Sequence, residues 1–320
     1  MIQRKKISAI ACLLFVFSLM PWKDSTTAQS FSHPMINAER VPWTDLSYRA
    51  KNFMVAVNTH VHLSLPSENE GQVSLLASPR SIPVQPSGSK VYLLTLNTNI
   101  DPLFRSAIRI LNQVWFDPKR ASALGRIRLR RGRDDFKKSY RFTQHGVFRI
   151  RRGPKNKKEA LLPPEQWTDV KDTFYSYDIS KLGCPLVSER LILIYLVSAA
   201  VISNKTEPIS LCVFGKRQLH HVQLRPEGLH TLKVDYIERT LQSETRRKST
   251  VEALKISILN RPIDSVLEET EKFSFLGLHK DIAIWIDSKS RIPIQVSGVV
   301  PNIGKVALKL SEVKLRTGIF

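Results

Sequence analysis

The chain has 320 residues, and its 49 Lys and Arg against 28 Asp and Glu give a formal net charge of +21. That excess calls for an anionic partner rather than a cationic one. Its three cysteines form no Cys-x-x-Cys pair, which excludes the usual dithiol redox chemistry.

At the N-terminus Arg4, Lys5 and Lys6 precede an apolar run over 7–20, and Thr26-Thr27-Ala28 supplies small residues for cleavage. This reads as a secretory signal peptide over 1–28, since the run is shorter than the ~20 residues of a membrane span. The expected location is therefore the periplasm, with residues 29–45 as an N-terminal segment and 46–320 as a β-rich domain. In an oxidising compartment the two remaining cysteines, Cys184 and Cys212, can close one disulfide; two buried free thiols are the alternative reading.

Apolar residues alternate over 53–65, and further strands are expected over 91–98 and 108–116, with a Ser- and Pro-rich surface loop over 67–90 between them. The basic meander follows: residues 119–158 hold sixteen Lys and Arg against Asp134 and Asp135. Three short strands there alternate with a period of two. That assigns Arg126, Arg128, Arg130, Lys137, Arg141, Arg149 and Arg151 to one face, and Ile127, Leu129, Phe136, Tyr140, Phe142, Phe148 and Ile150 to the other. Expected is a basic outer face over an apolar interior. Cations on outer strands can also serve only to prevent sheet-to-sheet aggregation. The predominance of Arg favours bidentate contacts to phosphate or carboxylate.

A loop is expected over 154–164. Ser188 is placed to cap a nearly all-apolar helix over 191–202, with Glu189 near its positive end. Strands follow over 209–214, 219–224, 229–237, 251–259, 281–286, 292–296 and 305–315. The fold class is mainly β: a strongly curved antiparallel sheet, an unclosed barrel, around one or two short helices.

Near the C-terminus, Ile282-Ala283-Ile284-Trp285-Ile286-Asp287, then Arg291-Ile292-Pro293-Ile294-Gln295-Val296, then Gly304-Lys305-Val306-Ala307-Leu308-Lys309-Leu310 resemble the closing strands of a bacterial family of exported proteins classed as a domain of unknown function. The order of the helix holding Tyr195 and the strands over 211–214, 219–224 and 229–236 is similar too, so the resemblance covers about 46–315. That family is similar in fold to the periplasmic lipoprotein carriers, half-barrels over a greasy cavity. The resemblance implies that architecture and supplies no catalytic residue, and the arginine meander is not part of the pattern.

Enzyme signatures are missing from the sequence: there is no Gly-x-Ser-x-Gly elbow, phosphate-binding glycine loop or Glu-containing histidine pair. His60 and His62 share a strand face, but no neighbour in sequence completes a ligand set, so neither metal nor cofactor is expected. The expected function is a non-enzymatic binding or carrier protein of the cell envelope, with an apolar cavity inside. The seven cations would take anionic lipid or acidic glycan, with peripheral membrane contact and no nucleic acid. The alternative is an adaptor whose basic face binds an acidic envelope protein.

Overall fold

The computed structural model describes residues 35–51, 55–65, 81–104, 106–178, 186–263 and 272–316. The expected signal peptide and Cys184 lie outside them. The first eight strands make one antiparallel meander: β1 (Trp43–Lys51), β2 (Val55–Ser64), β3 (Tyr92–Pro102), β4 (Ile108–Asp117), β5 (Ser122–Arg131), β6 (Phe136–Thr143), β7 (Gly146–Gly153) and β8 (Asp169–Ser176). A short helix, α1 (Lys157–Ala160), precedes β8. The chain then crosses back through β9 (Val187–Glu189), helix α2 (Ile192–Ala199), β10 (Ile209–Phe214) and the long hairpin of β11 (Leu219–Arg239) and β12 (Glu244–Pro262). Strands β13 (Lys280–Asp287), β14 (Pro293–Val300) and β15 (Gly304–Leu315) finish at β1, joining both halves into one fifteen-stranded sheet.

That sheet is mainly antiparallel and strongly curved. A parallel pairing of Ile237 with Glu312 and Glu238 with Val313 closes β11 to β15 into a partial ring, while β8 and β9 remain the two edges, so the barrel stays open. The core lies against the concave side. All eight residues of α2 are buried, which explains its unbroken apolar sequence: strands and the segment before β1 cover it, leaving no solvent face. Its six large apolar side chains contribute on the order of 10 kcal/mol by area removed from water, an upper figure.

Both ends of α2 are satisfied by specific groups. Glu189 Oε2 accepts from the Leu191 amide at 2.6 Å, so the expected Ser188 cap is corrected: Ser188 belongs to β9 and Glu189 holds the helix start. At the other end Arg291 donates to the carbonyls of Val197 (2.6 Å), Ala200 (2.8 Å), Ile202 (3.0 Å) and Ser198 (3.1 Å). A single guanidinium thus takes up several of the orphan acceptors that a helix C-terminus leaves, and the Asn37 amide takes the Ala199 carbonyl at 3.1 Å. Two strands expected over 219–224 and 229–237 are one, bent by a bulge between Pro226 and Leu229. Strands β1, β8 and β9 were not foreseen, and β1 already starts at Trp43.

Candidate functional site

Register decides which way each side chain of the basic meander points. Across β5 and β6, Arg126 pairs with Tyr140, Arg128 with Lys138 and Arg130 with Phe136; across β6 and β7, Lys138 pairs with Arg151 and Tyr140 with Arg149. Paired residues share a face. One face therefore carries Arg126, Arg128, Arg130, Lys138, Arg149 and Arg151 together with Phe136, Tyr140 and Phe142. Lys137 and Arg141 lie on the other face, with Ile127, Leu129, Phe148 and Ile150.

The mixed face is the inner one. Tyr140 and Phe142 meet Phe214 of β10 edge-to-face at centroid distances of 6.3 and 5.9 Å, and Arg126 is buried beneath β9. The expected arrangement, cations outside and hydrocarbon inside, is thus inverted for five of the seven, and Lys137 and Arg141 do not join them. The outer apolar residues are covered as well: Ile127 packs on Leu93, Trp115 and Leu124, with Val84 laid over them. Lys137 pairs outside with Glu165 at 2.6 Å, and burial lowers the pKa of half-buried Arg141. The misreading came from counting period within each strand without the cross-strand register, which a one-residue offset reverses.

Some inward cations are neutralised. Arg126 donates to Glu189 Oε1 at 2.5 Å, with both side chains essentially inaccessible, and its guanidinium lies 3.9 Å from the Tyr140 ring centroid. Arg151 donates to Asp169 at 2.7 Å, while Arg130 lies 3.9 Å from Asp134. Among the described residues Arg128, Lys138 and Arg149 have no carboxylate partner. Arg149 donates to Thr173 Oγ1 at 2.9 Å, and Lys138 Nζ sits 4.4 Å from the Phe136 ring centroid. Burial, then the fields of Arg190, Arg126 and Arg130, lower the pKa of Arg128 to about 10.

Arg128 also lines a cavity of about 220 Å³. Leu96, Ile100, Ile110, Leu191 and Leu276 form its apolar wall; Arg190 and Lys216 add cations, and none of its described lining residues is a carboxylate. Arg190, which sequence reasoning passed over, reaches it from the turn between β9 and α2 and is positioned by hydrogen bonds to the Ser274 carbonyl (3.0 Å) and hydroxyl (2.8 Å). A larger cavity, about 380 Å³, opens between β11–β12 and β14–β15 near Lys233, Lys248 and Lys309. There Asp235 is occupied by Arg246, through two contacts of 2.8 and 2.9 Å. Its three lysines are exposed to solvent, unlike the recessed cations of the first site.

Other candidates of the sequence resolve differently. Asp45, opposite His62 on β1, lies between both histidines: His62 Nδ1 is 2.8 Å and His60 Nε2 3.2 Å from its Oδ1. The carboxylate absent from the linear neighbourhood is thus supplied across the strand. Against its partial burial, hydrogen bonds from His60, Thr44 and His62 hold Asp45 below the usual carboxylate range, and the bond to Asp45 raises His60. Trp285 packs on the rim, donating to Ser297 Oγ at 3.1 Å. Cys212 is disulfide-bonded.

No helix of the described residues is long and apolar enough to cross a membrane. Compared with family models, curated proteins and solved structures, the chain finds no match, so the resemblance to the exported family rests on the residues quoted for it.

Proposed function

We propose that this is a non-enzymatic binding or carrier protein of the periplasm, which takes the anionic group of a lipid or glycan onto the concave side of its sheet. The observation that carries this reading is the unneutralised inward set Arg128, Lys138 and Arg149 beside a half-apolar cavity. Like charges sharing a partly desolvated face repel one another, a cost that persists in the fold unless an anion offsets it. Prevention of sheet aggregation does not account for it, because that role needs cations on exposed edges rather than on the concave face. Their recessed position also disfavours the adaptor reading, since a folded acidic partner would meet outward charge first.

Sedimentation with phosphatidylglycerol vesicles, set against neutral phosphatidylcholine, tests the proposal. Each cation near an anionic surface contributes on the order of 1 kcal/mol, so Arg128→Gln with Arg149→Gln should cut binding by more than tenfold. Lys137→Gln with Arg141→Gln, on the outer face, should leave it within twofold. The reverse pattern, outer loss with inner indifference, would contradict the proposal.

A further inference from the structure

Rows of inward side chains cross β5, β6 and β7 at fixed intervals. Arg128, Lys138 and Arg151 form one complete row of three cations. With strands about 4.8 Å apart it spans about 10 Å. The next row, about 7 Å along the strands, holds Arg126, Tyr140 and Arg149. Glu189 occupies Arg126 and Asp169 occupies Arg151, so the unsatisfied charges are Arg128 and Lys138, side by side, with Arg149 diagonal to Lys138. One carboxylate offsets one of these three. A phosphate on the Arg128–Lys138 pair lies one row, about 7 Å along the strands, from the row that holds Arg149. Two phosphates on one molecule reach all three.

Resting on the anion-binding reading above, we propose that the natural ligand carries two or more phosphate groups laid across Arg128, Lys138 and Arg149, and that Lys138 gains a proton when it binds. Arg128 and Arg149 supply the planar donor pairs that fit phosphate oxygens, and Lys138 supplies a point charge between them. Burial, then Arg128, Arg149, Arg151 and Arg126, pull the Lys138 amine down to about 7. The charged and titratable groups facing it come from several elements. From β5 come Arg126, Arg128 and Arg130; from β7, Arg149 and Arg151. Beyond them stand Glu189 at the end of β9, Arg190 just after it, Asp169 and Tyr175 of β8 and Tyr140 beside it on β6, while Lys216 lines the cavity with Arg128 and Arg217 acts on Tyr175. Cations outnumber carboxylates among them, so without a ligand the amine holds its proton less firmly than an ordinary lysine does. Phosphate oxygens reverse that balance and draw a proton from solvent onto Nζ.

Titration calorimetry of the full mature protein at pH 8, repeated in two buffers of different ionisation enthalpy, reads affinity and proton uptake together. The probes are inorganic phosphate, inositol 1,4,5-trisphosphate and its dioctanoyl lipid form, which separates a soluble source from a lipid one. Expected are at least tenfold tighter binding of the trisphosphate than of phosphate and an uptake approaching one proton. A further gain for the lipid form would support a lipid source of the phosphates, and equal affinity of the two a soluble one. Lys138→Arg should abolish the uptake and Lys138→Met should weaken trisphosphate at least tenfold, whereas Lys137→Met should change neither. Equal affinity for phosphate and trisphosphate, or unchanged uptake in Lys138→Arg, overturns this inference while leaving anion binding standing. No binding of any probe overturns both. Circular dichroism of each variant ensures that a loss is read on folded protein.

Discussion

Removing Glu189 should be among the most damaging single changes available to this fold. Its carboxylate meets Arg126 at 2.5 Å through Oε1 and the Leu191 amide at 2.6 Å through Oε2, with its side chain fully inaccessible. Glu189→Ala leaves the buried Arg126 guanidinium without its counter-ion, a cost of about 3–5 kcal/mol, and frees a buried amide at the start of α2. Domains of this kind retain only about 5–15 kcal/mol of net stability, so the loss should show as a large fall in the urea midpoint. Replacing both partners, Arg126→Met with Glu189→Leu, removes the stranded charge and should recover most of that loss. A single-variant cost below about 1 kcal/mol, or a double variant as unstable as the sum of the singles, would refute the reasoning.

Arg291→Leu should destabilise the protein by roughly 2–4 kcal/mol in chemical denaturation, because four carbonyls lose their donor, and Arg291→Lys should restore little, since one amine cannot span them. The Asp45 cluster predicts a mild pH dependence. His60 has its pKa raised in the fold, so its contribution is complete below about pH 6.5 and fades as pH rises through the folded value. Asp45, lowered, contributes above its ordinary range and is lost in acid. The half-exposed histidines limit the effect to below about 1 kcal/mol, and Asp45→Asn should flatten the pH 6–8 stability slope; a slope surviving in that variant would assign it elsewhere. Peptide mapping without reductant should recover Cys212 joined to Cys184, and Cys184 alkylated under those conditions would count against that pairing.

Much of the fold was legible because its signals are local. Alternation located β2 through β7 and β10 through β15, and a run apolar on every side marked α2 as a helix with no solvent face. Three strands escaped for identifiable reasons. β1 mixes Asp45, Ser47 and Arg49 on its outer face, β8 is a polar edge, and β9 has only three residues. The candidate site was half legible. The density of arginine pointed to the right strands, yet which face each residue joined depended on pairings such as Arg128 with Lys138, set by turn geometry rather than by either strand alone. Lys138 was passed over because Lys137 beside it fitted the assumed alternation. Glu189 and Arg190 lie far away in sequence and meet the meander only after the sheet curls.

The central claim, that anions are bound by the inward cations, is tested most directly by diffraction from crystals of the protein soaked in tungstate, whose anomalous signal locates the anion. The account predicts a strong peak over the inner face, in contact with Arg128 and Lys138 and within reach of Arg149. Peaks confined to Lys137 and Arg141 on the outer face, with none on the inner one, would contradict it.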